Sequence, residues 1–308
     1  MEERIGKVVL NLDDYPGQDL YSDGEIEDVL LDIAMHTAPE DYNKVIAERA
    51  DWAVLYHFSH IRTNILEFLP MTGSEKVLEI GSGCGAITGA LAEKAGHVTC
   101  VELSKKRSLI NAYRQKDKDN IEIRLGNFQD VEKKLPADYD VITLIGVLEY
   151  ARNYIDSDEP FVDFLKQIKG HLKPGGRLVI AIENRMGMKY WAGATEDHSG
   201  RFFEGIEGYY GDSRAETFVR PELETIFKKA GLVAETWYYP FPDYKLPLVL
   251  YSDEYLPKKG ELKNFISNFD RERLLLFDEG KALEKTVDAG LFPVFSNSYL
   301  VIVGGDES

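Results

Sequence analysis

The chain has 308 residues, of which 44% are hydrophobic and 29% are charged, a balance that supports a sizeable core and argues against extended disorder. Its 53 acidic and 36 basic residues give a formal charge of -17, which repels nucleic-acid phosphates and anionic lipid. We therefore expect no nucleic-acid partner and no membrane insertion, and small neutral or sugar-like ligands fit this charge better than polyanions.

The cysteine count and the apolar runs restrict the compartment. Cys84 and Cys100 are too few for a disulfide framework, and nothing pairs them as a metal site. The charged N-terminus lacks a secretory signal, and the longest apolar runs, such as 141–148, are far shorter than the ~20 residues that a membrane span needs. We expect a reduced, cytoplasmic protein that is a monomer or a weak homodimer.

The first predicted elements are helices. Residues 25–69 have apolar residues at spacings of three and four, and Pro70, Gly73 and Ser74 end that section. We interpret residues 1–70 as an N-terminal helical cap and residues 71–308 as a second domain.

Strands and helices alternate from residue 76 onward. Five apolar strands are expected, separated by helices such as 104–116, and they lie at 76–80, 97–103, 121–127, 139–147 and 177–183. This alternation is typical of a parallel sheet covered by helices on both faces. Two further strands are predicted at 234–240 and 298–305, and the fold class is α/β.

Two segments interrupt the regular pattern. Residues 184–216 are rich in glycine and aromatic residues and have no clear periodicity, so we predict a long functional loop or lid. Residues 243–296 are predicted to be an insertion containing one helix over 265–287.

A glycine-rich segment after the first of the five strands carries the chemistry. Its sequence is VLEIGSGCG, with glycines at 81, 83 and 85, which let the backbone turn sharply and a ligand approach closely. Glu102 lies 17 residues after Gly85, at the end of the second strand, where a carboxylate can accept hydrogen bonds from both ribose hydroxyls. We predict an adenosine-containing cofactor at the carboxyl ends of these strands.

Two kinds of cofactor are candidates for the glycine-rich segment. Gly81, Gly83 and Ala86 meet the loose dinucleotide pattern G-x-G-x-x-G/A, so NAD is one candidate. Glu79 opposes it, because a carboxylate beside the loop would repel a pyrophosphate. The same carboxylate favours a cofactor that carries a cationic amine and a sulfonium. We predict S-adenosylmethionine, with S-adenosylhomocysteine as its product.

Residues 75–183 and 217–304 resemble the class I S-adenosylmethionine-dependent methyltransferases. VLEIGSGCG is similar to their glycine-rich motif, VELS to the segment with the ribose-binding acid, and YDVITLIGVLEY to their fourth-strand motif. RLGNFQD resembles the stretch near the adenine, where the family often has Asp and this chain has Asn127. The resemblance implies a Rossmann-like seven-stranded sheet with helices on both faces, an N-terminal helical cap and lid insertions. It also implies a set of cofactor-binding residues: Glu79, Gly81, Ser82, Gly83, Gly85, Glu102, Leu103, Asn127, Phe128, Gly146, Val147 and Tyr150.

The fourth-strand motif also bears on the substrate. Enzymes that methylate exocyclic base nitrogens usually have an Asn/Asp-Pro-Pro-Tyr type motif there, whereas residues 145–150 read IGVLEY and resemble small-molecule members. Residues 181–200, 202–211 and 238–257 are similar to methyltransferases encoded with bacterial cell-surface polysaccharide machinery. This resemblance implies O-methylation of a hydroxyl on a small-molecule or glycan-related acceptor.

The lid supplies the catalytic candidates. A hydroxyl that attacks a sulfonium must lose its proton, and histidine is the usual base near neutral pH. We predict that His198 is this base, and that Asp197 or Glu196 orients it or binds sugar hydroxyls. Three consecutive side chains diverge unless the loop bends, so no metal site is predicted. The alternatives are a lid-shaping role for this histidine, an NAD(P)-dependent oxidoreductase, and a cofactor-binding module that docks a glycosyltransferase partner.

Overall fold

The predicted alternation of strands and helices is present in the structure, a computed structural model that describes residues 1–19, 21–210, 213–262 and 273–305. The chain divides into two units. The first comprises 1–144 and 171–176, and the second comprises 145–170 and 177–308. Residues 1–70 lie entirely in the first unit, and their assignment as a separate cap stays a prediction.

Six strands form the sheet of the first unit. They are β1 (Glu2–Ile5), β2 (Val8–Asp14), β3 (Lys76–Ile80), β4 (His97–Glu102), β5 (Ile121–Gly126) and β6 (Tyr139–Ile145). Their order is β1-β2-β5-β4-β3-β6, and every neighbouring pair is parallel except the hairpin β1–β2. The carboxyl ends of β3 and β4 therefore lie side by side, which is where an α/β sheet binds its ligand.

The hairpin β1–β2 corrects the prediction that residues 1–70 are helical and that the sheet has seven strands. β2 pairs in parallel with β5, and its buried Val8 and Leu10 alternate with less buried residues. This period of two was the missed signal in the sequence. Together with a short strand of the second unit, the hairpin brings the described strands to ten.

Seven helices belong to the first unit: α1 (Ile26–His36), α2 (Tyr42–Arg49), α3 (Trp52–Phe58), α4 (Asn64–Glu67), α5 (Thr88–Lys94), α6 (Lys105–Arg114) and α7 (Phe128–Val131). The predicted helical section is interrupted after α2, where Ala50 has a left-handed φ of 48°, and after α3. Asp51 and Ser59 then accept hydrogen bonds from the next segments' backbone N–H groups, so these polar residues restart the helices as N-caps.

The N-terminal helices pack on the glycine-rich segment. Leu30 and Ile33 of α1, with Phe58 of α3, share one buried apolar cluster with Cys84 and with Ile110 of α6. Burial raises the pKa of the Cys84 thiol to about 12, so the thiol stays neutral and serves as an apolar packing group. Because Cys84 packs in this cluster, the glycine-rich segment is held in place.

The second unit contains an antiparallel sheet. Its strands are β7 (Leu172–Glu183, which enters this unit at Arg177), β8 (Leu232–Phe241), β9 (Val249–Ser252) and β10 (Ser298–Gly305), in the order β7-β10-β8-β9. The predicted strands near the end of the chain are confirmed, and β9 is an addition inside the predicted insertion. The helices are α8 (Pro160–Lys169), α9 (Met188–Trp191), α10 (Glu204–Glu207), α11 (Arg220–Lys229), α12 (Glu279–Asp288) and α13 (Phe292–Phe295).

Apart from residues 211–212, which lie outside the described residues, the predicted lid contains the short helices α9 and α10 and an isolated bridge between Thr195 and Phe202, joined by turns. Of the helix predicted over 265–287, the described part is helical only from Glu279, and residues 265–272 lie outside the description. Asp278 accepts a hydrogen bond from the backbone N–H of Lys281 and starts α12. Across the described ranges, no helix is long and apolar enough to cross a membrane.

Candidate functional site

The glycine-rich loop joins β3 to α5 by a tight turn. Gly81, Gly83 and Gly85 have φ values of 71°, 52° and 73°, a left-handed conformation that side chains with a Cβ rarely adopt. The N–H of Gly81 donates to the carbonyl of Val101 at 2.9 Å, and that of Gly85 donates to the carbonyl of Ser82 at 3.0 Å. The loop is thereby tied to the end of β4.

The glycines at 83 and 85 are needed for different reasons. A Cβ on Gly85 would lie 2.1 Å from Oδ1 of Asn111, a fully buried residue of α6, so this glycine permits close packing. A Cβ on Gly83 would have no neighbour closer than Nη1 of Arg107 at 3.9 Å. The space beside Gly83 is therefore open, as expected where a ligand approaches the backbone.

Glu102 ends β4 directly beside the loop. One carboxylate oxygen accepts a hydrogen bond from the N–H of Gly83 at 2.8 Å, and the other accepts from the N–H groups of Leu103 at 2.8 Å and Ser104 at 3.0 Å. The residue is 6% exposed. Glu102 thus holds the loop in shape, and the oxygen that bonds Gly83 has a second lone pair to offer a hydroxyl.

Glu79 is buried in β3 below the loop. Its Oε2 accepts a hydrogen bond from the hydroxyl of Thr88 at 2.6 Å and lies 3.4 Å from the Sγ of Cys100. Burial raises the pKa of Glu79 to about 7, although both hydrogen bonds lower it. An approaching cation would favour the charged form of this carboxyl.

This raised pKa makes the stability of the chain depend on pH. Between 4.5, the ordinary value, and about 7, the folded state binds more protons than the unfolded state. The free energy of unfolding should therefore fall as pH rises through this window, by up to about 3 kcal/mol from Glu79. Glu79→Gln, which cannot ionise, should lack this contribution to the pH dependence of the free energy of unfolding. Urea unfolding of the wild type and of Glu79→Gln at about pH 5 and pH 8 measures how the free energy of unfolding changes with pH. An equal change in both proteins would contradict the prediction.

Asn127 and Phe128 were predicted near the adenine. The Asn127 side chain accepts a hydrogen bond from the N–H of Gln129 at 3.2 Å and begins α7 as its N-cap. Phe128 is 7% exposed and meets the ring of His171 edge-on, with centroids 6.2 Å apart. Both residues follow β5, the strand next to β4.

Arg114 supports the loop from α6. Its Nη1 donates to the carbonyl of Cys84 at 2.8 Å and to the carbonyl of His57 at 2.7 Å. His57 is buried, and burial together with neighbouring arginines lowers its pKa well below the ordinary value. His57 is therefore a neutral residue of the core.

The remaining predicted cofactor residues belong to the second unit. Gly146 has a φ of 70°, and a Cβ there would lie 2.7 Å from the hydroxyl of Tyr244. Val147 precedes a 3₁₀ turn over Leu148–Asn153. In that turn, the ring of Tyr150 meets the imidazole of His198 edge-on, with centroids 5.2 Å apart. Tyr150 therefore helps to position the predicted base.

His198 is held by carboxylates at both ring nitrogens. Nδ1 lies 2.8 Å from Oε1 of Glu196, and Nε2 lies 3.6 Å from Oε1 of Glu149. Glu196 also accepts hydrogen bonds from the backbone N–H groups of His198 and Ser199. These bonds form a tight turn that holds the imidazole of His198 beside Glu196. Burial lowers the pKa of His198, but hydrogen bonds to the two glutamates raise it well above its ordinary value. Glu196, and not Asp197, orients the ring.

Asp197 points to different partners. Its carboxylate pairs with Lys189 at 2.6 Å and with Lys245 at 3.0 Å, and it accepts the hydroxyl of Tyr190. Although burial raises the pKa of Asp197, the two lysines lower it well below the ordinary value. This residue fixes the segment by ion pairs. The expected divergence of consecutive side chains is present between Asp197 and its neighbours.

Two glutamates that the sequence analysis did not propose as catalytic groups complete a buried cluster with His198. Glu149 and Glu183 are each 1% exposed, and Oε2 of each has no hydrogen-bond partner among the described residues. Oε1 of Glu183 is 2.7 Å from Nζ of Lys245 and accepts the hydroxyl of Tyr244 at 3.2 Å. The available signal was a carboxylate at the end of an apolar strand, as in RLVIAIE, and one inside the apolar run IGVLEY.

These observations describe an α/β fold with a glycine loop that allows close ligand approach, and part of this fold is similar to known proteins. Residues 78–178 match the family model described as a methyltransferase domain. A ubiquinone biosynthesis O-methyltransferase of Xylella fastidiosa is 30% identical over 120 residues, which is 38% of this chain and 45% of that protein. A demethylmenaquinone methyltransferase of Tropheryma whipplei is 32% identical over 126 residues, 40% of this chain and 47% of that protein.

The search of solved structures found methyltransferases of low sequence identity. The CcbJ methyltransferase of Streptomyces caelestis has 18% sequence identity and a TM-score of 0.46, over 80% of this chain and 89% of that one. The chain spans about half the length of the curated relatives it matches. The predicted methyltransferase domain is confirmed for residues 78–178. The activity, substrate and partners of the whole chain are matters of proposal.

Proposed function

We propose that this chain transfers a methyl group from S-adenosylmethionine to a hydroxyl of a small-molecule acceptor. The observation that carries the proposal is the loop after β3, whose Gly83 leaves open space beside the carboxylate of Glu102, inside the matched methyltransferase domain. S-adenosylmethionine supplies a methyl group on a positively charged sulfur. The glycine loop and the two acidic strand ends suit a ligand that carries ribose hydroxyls and positive charge.

The first unit would bind the cofactor. Glu102 would accept a hydrogen bond from one ribose hydroxyl through the lone pair that the loop leaves free. Buried Glu79 would be converted to its charged form by the cationic end of the ligand, because an opposite charge lowers a carboxyl pKa. The open side of Gly83 would admit the ligand to backbone contact. Ser82 and Leu103 of the same unit stay part of the proposed cofactor site, and Gly146, Val147 and Tyr150 of the second unit stay predictions.

The second unit would act on the acceptor. Transfer forms an O–C bond and breaks a C–S bond, so the acceptor hydroxyl must give up its proton. His198 is the proposed acceptor of that proton, positioned by Glu196 at Nδ1 and by the ring of Tyr150. In its protonated form the imidazole cannot serve as a base, so a bound ligand must first lower its raised pKa. Asp197 would act as a positioning residue through Lys189 and Lys245.

The acceptor class is proposed from chemistry. The net charge of -17 disfavours polyanionic substrates. The lid also presents aromatic rings such as Trp191, which is 37% exposed, and Tyr210, which is 58% exposed, and such rings pack against the C–H faces of sugars. We therefore propose a hydroxyl of a glycan precursor, with a glycosyltransferase as the partner that supplies or uses it. Several curated relatives are named as O-methyltransferases.

Two measurements test the proposal. Calorimetric titration with S-adenosylhomocysteine, and with NAD as the control, should show binding of the first and none of the second. Incubation with methyl-labelled S-adenosylmethionine and surface-glycan precursors should then label an acceptor. Binding of NAD in place of S-adenosylhomocysteine would overturn the methyltransferase proposal. Cofactor binding without any labelled acceptor would favour a module that docks its partner without catalysis.

Glu102→Ala is expected to weaken binding of S-adenosylhomocysteine by about 1–3 kcal/mol, because a charge-assisted hydrogen bond to the ribose is lost. Glu75→Ala is the matched control, since Glu75 also accepts backbone N–H groups of a turn, from Thr72 and Gly73, but lies outside the loop. Calorimetry of both variants separates ligand contact from loss of a turn. Unchanged affinity in Glu102→Ala would remove this residue from the site.

A further inference from the structure

The buried cluster of the second unit has the composition of a metal site. Glu149, Glu183 and His198 each offer one ligand atom, and these three atoms lie within 4.8 Å of one another. Metal–oxygen and metal–nitrogen bonds of about 2.0–2.2 Å place neighbouring ligand atoms about 3–4 Å apart. Side-chain shifts of about 1 Å or less would therefore close the three atoms around one ion. The residues come from the turn after β6, the end of β7 and the lid.

Two buried carboxylate oxygens favour a cation at this cluster. Oε2 of Glu149 and Oε2 of Glu183 are buried and accept no hydrogen bond in the described part of the chain. A buried carboxylate oxygen without a partner is costly, and a cation is the usual compensation. The other oxygen of Glu183 is already used by Lys245 and Tyr244, so Oε2 is the one directed to a ligand.

A carboxylate holds the remote ring nitrogen of His198, as is usual for histidines that bind a metal. Its Nδ1 faces Glu196 Oε1 at 2.8 Å, and an N–H donated there leaves Nε2 with a free lone pair on the side of Glu149. A carboxylate on the remote nitrogen fixes the tautomer and the ring orientation of a ligating histidine. Glu196 is itself fixed by the backbone N–H groups of His198 and Ser199.

The charge balance also favours a cation. In the described part of the chain, three carboxyl groups of the cluster, those of Glu149, Glu183 and Glu196, face one lysine ammonium group, that of Lys245. A proton on His198 offsets only part of this excess. A dication beside Nε2 would replace that proton and would pair with both unpartnered oxygens.

We propose that Glu149, Glu183 and His198 bind one divalent transition-metal cation, with Glu196 as the residue that positions the histidine. One imidazole and two carboxylates suit Mn²⁺, Fe²⁺ or Zn²⁺ better than Ca²⁺, which prefers oxygen ligands alone. Three protein ligands leave coordination positions open for a hydroxyl, whose pKa the cation lowers. With the cation bound, Nε2 of His198 is a ligand and not the proton acceptor, and the hydroxyl gives its proton to water. This role in methyl transfer rests on the proposed function, whereas the binding of the cation rests on the cluster alone.

The test is direct binding of Mn²⁺ to the full chain after treatment with a chelator. Electron paramagnetic resonance of free Mn²⁺ should show about one bound ion per chain, and Glu149→Gln and Glu183→Gln should each weaken binding by about tenfold or more. His171→Asn is the matched control, because His171 is another buried histidine beside a carboxylate, Glu132 at 3.2 Å, without further acidic neighbours in the contacts described. It should bind Mn²⁺ like the wild type.

A second measurement keeps the proposal testable where a variant folds poorly. Mn²⁺ or Zn²⁺ at millimolar concentration should raise the unfolding temperature of the wild type, because a ligand that binds only the folded state stabilises it. No bound Mn²⁺ and no shift with either ion would overturn the cation site. Equal Mn²⁺ binding by wild type, Glu149→Gln and Glu183→Gln would overturn it as well.

The outcomes separate this site from the proposed function. Methyl transfer that persists in excess chelator, with no Mn²⁺ bound, would leave the methyltransferase standing and remove the cation. Mn²⁺ bound by the wild type and lost in Glu149→Gln, without any affinity for S-adenosylhomocysteine, would support the cation site and overturn the proposed function.

Discussion

Replacing His198 by alanine is expected to lower the rate of methyl transfer by about 10²–10⁴-fold, the usual value of a positioned proton acceptor. Both ring nitrogens are engaged by carboxylates, so the substitution also separates Glu196 from Glu149 and removes the only nitrogen of the cluster. Single-turnover measurement with labelled S-adenosylmethionine gives the rate. Affinity for S-adenosylhomocysteine should stay near that of the wild type, because Glu79, Gly83 and Glu102 are unchanged.

His171→Asn is the control for loss of a buried histidine. His171 contacts Glu132 and the carbonyl of Pro136, and it is absent from the proposed acceptor cluster. It should change stability but leave the rate per folded molecule within about threefold. A rate within about threefold of wild type in His198→Ala would instead make His198 a residue that shapes the lid. A carboxylate such as Glu149, whose pKa burial raises, would then be the candidate base.

Substitution of the two loop glycines should separate ligand binding from folding. In Gly83→Val, the branched side chain would occupy the open space where only Arg107 comes within 3.9 Å, so we expect binding of S-adenosylhomocysteine to fall by more than about 100-fold. The left-handed φ of 52° adds about 1–2 kcal/mol of backbone strain, which the fold should tolerate.

Gly85→Ala, unlike Gly83→Val, should mainly lower the stability of the fold. Its Cβ would meet the buried side chain of Asn111 at 2.1 Å, and Asn111 donates to Thr88, which in turn donates to Glu79. Overpacking of this kind costs about 1–3 kcal/mol in addition to the strain of the positive φ. Thermal unfolding and calorimetry measure the two effects. Normal affinity in a folded Gly83→Val protein would show that the loop is not the binding site.

The predicted lid shows what local sequence pattern can predict about a site and what it cannot. Irregular sequence over 184–216 predicted a functional segment, and the adjacent triplet at 196–198 drew attention to a histidine beside carboxylates. Which carboxylate faces that histidine could not be read from adjacency, because a turn stabilised by backbone N–H groups brings Glu196 to Nδ1 and sends Asp197 to two lysines. The direction of consecutive side chains depends on backbone dihedrals that the sequence does not state.

The N-terminal region shows the complementary limit. Apolar spacing predicted the helices of 25–69 correctly, and Asp51 and Ser59 carry the capping signals that divide them. The hairpin β1–β2 was missed, since a strand that joins an existing sheet edge is stabilised by pairing with β5, more than 100 residues away in the sequence.

The sequence by itself determined the α/β class, the glycine loop and the acidic strand ends, because strand periodicity, turn glycines and residues that follow a strand are local properties. Tertiary structure alone decided the different roles of Gly83 and Gly85 and the meeting of Glu149, Glu183 and His198. Those three residues are separated by 34 and 15 positions in the chain. Only the folding of a turn, a strand end and a loop into one unit brings their charges together, and burial then gives the cluster its chemistry.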